Sequence, residues 1–182
     1  MAAPIARLEL VVVDADLEAL ALRGVLECFG VQVTSHLVGQ ASDLVRILSG
    51  AEPLARYVVI SCHGDDRGLI LPELHESVDA VQPYRGALSP ADLRSFLRLQ
   101  GCVVVNTGCS LGTPEFVAAF LHAGCAAYCG CSGDPGGDEA LVYTVNFFYH
   151  HLCRGASLED AHARAGVHCD GDVPFHMSRA AS

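Results

Sequence analysis

The chain has 182 residues, of which 51% are hydrophobic and 18% are charged. This balance excludes a disordered chain and predicts a single globular domain over residues 1–182 that needs no disulfide or metal to fold. The formal net charge of −10 argues against nucleic acid and favours cationic peptides or basic protein segments as partners. On charge alone, the favoured explanation is that the charge only keeps the protein soluble.

The cysteines and the first apolar segment bear on where the protein works. Nine cysteines, an odd number, occur with no secretory signal before them, which favours reduced thiols and a cytoplasmic protein. Residues 8–13 are too short to cross a membrane and include Glu9, so we expect no membrane association. Cys125, Cys129 and Cys131 lie close together, but their strand-like setting favours small buried side chains over metal ligands.

The first part of the chain alternates strands with helices. Residues 8–13 predict a buried strand, and a helical pattern begins at Asp16 and ends at Gly30. A second strand is predicted over residues 31–38, followed by a short helix over residues 42–48. The same alternation continues along the rest of the chain.

The middle of the chain contains a second buried strand and a long irregular segment. The β-branched run at residues 57–62 predicts the strand, and residues 69–71 predict a short one after it. Residues 72–88 show little periodicity and are interpreted as a surface loop. Ser89-Pro90-Ala91-Asp92 is a helix-capping sequence, and its helix is expected to end at Gly101.

The last part of the chain repeats the pattern and then loses it. The predicted elements are a strand at 102–106, a helix from Thr113, a strand at 126–131, a flexible loop at 132–138, a helix at 139–154 and a final helix capped by Ser157. Residues 165–182 show no usable pattern and are expected to form a loosely ordered tail.

This order of elements predicts an α/β protein. Strands joined by helices favour a mostly parallel central sheet with helices on both faces. In such sheets, ligands bind beyond the carboxyl ends of the strands. The residues that directly follow each apolar strand are therefore the candidates for a functional site.

A histidine and a cysteine follow two such strands. His63 comes directly after the strand at 57–62, and Cys109 comes shortly after the strand at 102–106. A single helical crossover between two parallel strands favours placing them side by side, so we expect both side chains to project into one crevice. A thiolate with a nearby imidazole is the pair that a cysteine hydrolase requires.

The neighbouring residues fit the same chemistry. Gly64 and Gly108 would let the backbone approach a substrate closely, and the amides of Gly64 and Cys109 are candidates for an oxyanion hole. The helix that begins at Thr113 is expected to lower the pKa of Cys109. The alternative is that the histidine is structural and the cysteine a buried, inert thiol.

At these positions the sequence resembles the caspase-like cysteine peptidases of clan CD. Ser61-Cys62-His63-Gly64 and the segment Asn106–Gly112 resemble the two strand-end motifs of that group, which includes caspases, metacaspases, separases and CHAT domains. Residues 120–128 and 147–164 resemble the later helix–strand passages of the CHAT type, so the similarity covers roughly residues 55–165.

The resemblance implies a caspase-like three-layer sandwich that cleaves peptide bonds, with His63 as the proton-transfer residue and Cys109 as the nucleophile. The resemblance also implies a defence or regulatory role, a protein or peptide substrate and a regulatory protein partner. No cofactor is expected. The chain lacks a long cleavable linker after Cys109, and no arginine follows the first strand. The missing linker argues against caspase-type maturation, and the missing arginine argues against a preference for aspartate.

Acidic residues suggest a different preference. Asp14 and Asp16 follow the first strand, and Asp134 and Asp138 lie in the loop after the strand at 126–131. In the metacaspase-like enzymes that the sequence resembles, acidic residues at the corresponding strand ends hold a basic side chain, and carboxylates pair with guanidinium groups in charge-assisted bonds. The resemblance therefore implies cleavage after Arg or Lys, with these four residues as candidate substrate-binding groups. A helix cap for Asp16 and solvated turns for Asp134 and Asp138 are equally good explanations.

Other residues do not predict a metal site. His150 and His151 are consecutive and therefore point in different directions on a helix, and His168, Cys169 and His176 lie in the unpatterned tail. Two further functions stay open beside the peptidase: a caspase-like scaffold that binds partners without turnover, and an acyl hydrolase that uses the same pair on non-peptide substrates.

Overall fold

The computed structural model describes residues 5–14, 16–167 and 175–180. Its centre is a six-stranded sheet that contains β1 (Arg7–Val13), β2 (Gln32–Leu37), β3 (Tyr57–Cys62), β7 (Val103–Asn106), β8 (Ala127–Cys131) and β9 (Phe175–Arg179). The strands lie in the order β2-β1-β3-β7-β8-β9, and every neighbouring pair is parallel except β8 and β9. The predicted mostly parallel α/β sheet is confirmed.

Helices cover both faces of this sheet. The helices are α1 (Asp16–Cys28), α2 (Ala41–Leu48), α3 (Glu76–Asp79), α4 (Pro90–Phe96), α5 (Pro114–His122), α6 (Gly137–Phe148) and α7 (Leu158–Gly166). Leu44, Leu93 and Phe120 bury α2, α4 and α5 against one face, while Leu22 and Phe147 bury α1 and α6 against the other. Two apolar cores on opposite sides of one sheet make the molecule a three-layer sandwich.

The alternation of side chains along the strands decides which residues meet each helix layer. In β3, Val58 and Ile60 contribute to the core beneath α2, α4 and α5, while Tyr57 and Val59 contribute to the core beneath α1 and α6. Successive side chains of a strand point to opposite faces, so Ser61 and then His63 are expected on the α1 side. This alternation places the polar end of β3 beside α1.

A small second sheet follows β3. It contains β4 (Gly64–Asp65), β5 (Gly68–Ile70) and β6 (Ala87–Leu88), paired antiparallel in that order. The tight turn between β4 and β5 is held by Asp65, whose carboxylate accepts hydrogen bonds from the guanidinium and amide of Arg67 and keeps a lowered pKa as a result. The segment 72–88, interpreted from sequence as a loop, therefore contains helix α3 and strand β6.

The end of the chain differs most from expectation. The long helix predicted over 139–154 ends at Phe148, and a π-helical turn follows at Tyr149–Cys153. The expectation of a loosely ordered tail is wrong for residues 175–179, which form β9 and pair antiparallel with β8. Phe175 secures this strand by stacking on Tyr143 of α6, with ring centroids 4.0 Å apart. No helix in the described residues is long and apolar enough to cross a membrane.

Candidate active site

A cleft of about 690 Å³ opens at the carboxyl ends of the central strands. The ends of β1, β3 and β7 form its floor, and the starts of α1 and α6 form its sides. The residues that line it are Asp14, Leu17, Glu18, Cys62, His63, Thr107, Cys109, Pro135, Gly137, Asp138, Ala140 and Leu141. This is the edge at which open α/β sheets bind their ligands.

His63 and Cys109 both line this cleft. Strands β3 and β7 are parallel neighbours, as predicted, and their register pairs Tyr57 with Val103 and Ile60 with Asn106. Continued past the end of the ladder, the same register brings His63 beside Cys109. Among the described residues, no hydrogen bond joins the imidazole to Cys109 Sγ, which is common in cysteine and serine hydrolases before substrate binds.

Gly64 and Gly108 bring the two strand ends into contact. A Cβ atom on Gly64 would lie 2.2 Å from the carbonyl oxygen of Cys109, and one on Gly108 would lie 2.9 Å from Cys62 Sγ. Real Cβ atoms do not approach other atoms so closely. The sequence-based prediction assigned these glycines to close contact with substrate, but their immediate neighbours are the two segments themselves.

Asn106 shapes the turn that carries Cys109. Its Oδ1 atom accepts hydrogen bonds from the Gly108 amide at 3.0 Å and from Cys62 Sγ at 3.3 Å. The next residue after Cys109, Ser110, has a φ of 60°, a left-handed conformation that is costly for a residue with a side chain. Backbone strain of this kind is frequent at functional sites, where the surrounding structure holds it in place.

The pKa of Cys109 is raised, and the predicted lowering by the α5 N-terminus is wrong. Burial of the thiol is the largest cause, and the negative charge of Asp134 is the next. The loop that carries Asp134 is fixed beside Cys109 because the Ser110 amide donates to the Gly133 carbonyl at 2.7 Å. Cys109 therefore rests as a protonated thiol in the free protein.

Removing the charge of Asp134 tests this arrangement. In Asp134→Asn the pKa of Cys109 falls towards its ordinary value, so the thiolate fraction at pH 7.5 rises and alkylation by iodoacetamide becomes several-fold faster. The measurement is mass-spectrometric quantification of carbamidomethylated Cys109 over time. Asp138→Asn is the matched control, because Asp138 is absent from the groups that shift this pKa. An unchanged or slower rate in Asp134→Asn would contradict the account.

The structure places the four predicted substrate-binding aspartates in different surroundings. Asp14 and Asp138 line the cleft with His63 and Cys109, and both are exposed. Asp134 instead lies beside Ser110, whose Oγ atom donates to Asp134 Oδ1 at 3.4 Å. Asp16 begins α1, but its side chain lies outside the described part of the structure.

Glu18 is a cleft residue that the sequence did not single out. Its Oε1 atom accepts hydrogen bonds from Ser61 Oγ at 2.6 Å and from Thr107 Oγ1 at 2.7 Å. Ser61 and Thr107 each lie two positions before His63 and Cys109, so one carboxylate on α1 joins both strand ends. The sequence offered one signal: Ser61 and Thr107 each precede His63 and Cys109 by two positions, so each is expected on the same face of the sheet as the residue it precedes.

Three of the histidines have side-chain hydrogen-bond partners, whereas His150 Nδ1 is buried without one among the described residues. His151 Nε2 bonds to Tyr57 Oη at 3.0 Å, His162 Nδ1 to Tyr143 Oη at 2.7 Å and His176 Nε2 to Ser132 Oγ at 3.1 Å. Within the described ranges no group of three or more potential ligands gathers in a metal-binding arrangement. His168 and Cys169 lie outside those ranges.

Comparison with known proteins identifies the fold. No family model and no curated protein matches the chain. Two structures of the Saccharomyces cerevisiae separase–securin complex match 97% of this chain at 11% and 12% identity, with TM-scores of 0.60 and 0.62. A secreted C11 cysteine protease from Bacteroides thetaiotaomicron, in complex with an irreversible peptide inhibitor, matches 90% of this chain at 13% identity, with a TM-score of 0.52.

These similarities give the class of fold. The chain spans 12% of the matched separase structures and 58% of the matched C11 structure. The shared part is the mostly parallel six-stranded sheet flanked by helices, which is a caspase-like α/β fold. One of these structural neighbours is a cysteine protease.

Proposed function

We propose that the protein is a cysteine endopeptidase that uses His63 and Cys109 as its catalytic pair. The single observation that carries this proposal is the presence of both side chains in one cleft, at the ends of neighbouring parallel strands. The caspase-like fold, which the chain shares with a C11 cysteine protease and with separase, supports the same reaction class.

In the proposed reaction the thiol is activated when substrate binds. Because the pKa of Cys109 is raised at rest, His63 removes the Sγ proton as the sulfur attacks the carbonyl carbon. The resulting oxyanion accepts hydrogen bonds from the Gly64 and Cys109 amides, the predicted donors. His63 then protonates the leaving amine as the C–N bond breaks, which leaves a thioester on Cys109.

Water completes the cycle. His63 takes a proton from a water molecule that attacks the thioester carbonyl, and the C–S bond breaks to release the carboxylic acid and the thiol. The same imidazole therefore acts as base in each attack and as acid in each collapse.

We further propose cleavage after Arg or Lys. The described cleft is lined by the carboxylates of Asp14, Glu18 and Asp138 and by no arginine or lysine, so it favours a cationic side chain. Seven cysteines in the described chain, Cys109 among them, are free thiols, which supports a reducing, cytoplasmic setting. By analogy with separase, which is seen bound to securin, we propose a regulatory protein partner.

A panel of fluorogenic peptides tests the reaction and its preference together. The peptides differ only at the residue before the cleaved bond, which is Arg, Lys, Leu or Asp. We expect kcat/KM for Arg and Lys to exceed that for Leu and Asp by about 100-fold, the size typical of a buried charge–charge contact. Equal turnover of all four peptides would contradict the proposed preference for Arg and Lys. If none of the four is cleaved, the proposed peptidase activity is contradicted.

Two observations favour a second function. The raised pKa of Cys109, and the lack of a hydrogen bond between His63 and Cys109 Sγ in the described part of the structure, are also what an inactive scaffold would show. Such a scaffold would bind a peptide in the same cleft without cleaving it. The peptide panel separates the two, because a scaffold binds the Arg peptide and returns it intact.

A further inference from the structure

We propose that Glu18 is the residue that recognises the cationic side chain of the substrate. This inference rests on the proposed function and deepens it, because it moves the specificity from the aspartates predicted by sequence to a glutamate on α1. It follows from the anchoring of Glu18, from the walls of the cleft around it and from the charges that the cleft leaves unpaired.

The anchoring of Glu18 leaves one oxygen for a ligand. Oε1 accepts both hydroxyl bonds, from Ser61 and Thr107, and these hydroxyl residues are almost fully buried, at 0% and 5% exposure. Oε2 has no hydrogen-bond partner among the described residues. Two short bonds to rigid strand ends fix the carboxylate, so an incoming cation binds without ordering a flexible side chain.

The walls of the cleft suit the stem of a long basic side chain. Leu17, Ala140, Leu141 and Pro135 line the cleft from α1, from α6 and from the loop before α6. Arginine and lysine carry an aliphatic stem that packs on apolar surface and a charged head that needs a polar partner. A cleft with apolar sides and a fixed carboxylate on Glu18 matches both parts.

The charges of the cleft point in the same direction. Asp14, Glu18 and Asp138 form no ion pair with any described residue, and His63 is the only basic side chain among the described residues of the lining. Glu18 is partly buried, whereas Asp14 and Asp138 are exposed. Because water screens exposed charges, the partly buried carboxylate contributes most to binding a cation.

The test compares arginine with citrulline, its neutral isostere, in peptides that are otherwise identical. Each peptide is measured with the parent protein and with Glu18→Gln, which removes the charge but keeps an oxygen for the bonds from Ser61 and Thr107. Binding is measured by fluorescence anisotropy in a Cys109→Ala background, and kcat/KM is measured with Cys109 intact. Glu115→Gln, an exposed charge on α5, is the control.

The parent protein should prefer arginine to citrulline by about 30- to 100-fold, and Glu18→Gln should reduce that ratio to within about threefold of unity. Asp14→Asn and Asp138→Asn should change the ratio by less than about threefold. If Glu18→Gln weakens both peptides equally, the residue only holds the strand ends and the proposal is wrong. If the ratio is unchanged, Glu18 does not contact the side chain.

The binding and the kinetic measurements together separate this inference from the proposed function. A protein that discriminates arginine from citrulline through Glu18 but cleaves neither peptide supports the recognition site and contradicts the peptidase. A protein that cleaves the arginine peptide with a discrimination unaffected by Glu18→Gln supports the peptidase and contradicts the recognition site.

Discussion

Hydrolysis of an arginine-containing peptide will fall by at least about 10⁴-fold when Cys109 is replaced by alanine, because the variant has no sulfur to form the thioester. In His63→Ala the thiol remains, but nothing removes its proton during attack or protonates the leaving amine. That loss is expected to be about 10²- to 10⁴-fold, and to appear in kcat more than in KM. Both are measured as initial rates with the same fluorogenic peptide.

Matched controls exist for both residues. Cys28→Ala removes an exposed thiol, and His122→Ala removes an exposed imidazole at the end of α5; neither residue lines the cleft. Both controls should retain the parent rate within about twofold. Full activity in Cys109→Ala would require another nucleophile and would end the account, as would a His63→Ala variant as fast as His122→Ala.

A single methyl group on Gly64 will damage both stability and activity. The Cβ atom of Gly64→Ala would lie 2.2 Å from the carbonyl oxygen of Cys109 and 2.9 Å from Leu111 Cγ, so the backbone of one strand end must move. Overpacking of this kind costs about 1–3 kcal/mol of the free energy of unfolding. A displacement of about 1 Å between the reacting groups lowers kcat by about 100-fold.

Gly24→Ala makes the same chemical change where there is room for it. Gly24 is an exposed residue within α1, and a Cβ atom there would meet nothing within 4 Å. Alanine should therefore stabilise the helix by about 0.5–1 kcal/mol and leave activity unchanged. The free energy of unfolding in urea and the rate of peptide hydrolysis are measured for both variants. Equal values for Gly64→Ala and Gly24→Ala would contradict the proposed packing of the two strand ends.

Most of the architecture could be predicted from local patterns. The apolar runs at β1, β3, β7 and β8 are continuous because both faces of the sheet are covered, and the intervening helical periodicity implies parallel crossovers. The same logic placed the residues after β3 and β7 at one edge of the sheet. The sequence could therefore place His63 and Cys109 in one cleft, because their positions depend on topology rather than on detailed packing.

Contacts between distant segments could not be predicted in this way. Glu18 reaches Ser61 and Thr107 across the α1–sheet interface, and nothing local to Glu18 indicates that it does so. The pKa of Cys109 was predicted with the wrong sign because the reasoning considered the nearby helix α5 but not burial or the Asp134 loop. Strand β9 was missed because its short polar sequence is stabilised by pairing with β8 and by Phe175.

Covalent labelling by a substrate-like probe tests the catalytic pair most directly. A peptidyl acyloxymethyl ketone with arginine at the recognised position forms a thioether with an attacking sulfur and releases a carboxylate. We expect one adduct per protein, mapped by mass spectrometry to Cys109, and a labelling rate that drops by about 100-fold or more in His63→Ala. Adducts spread over several cysteines, or a rate on Cys109 that does not change without His63, would contradict the pairing of these two residues.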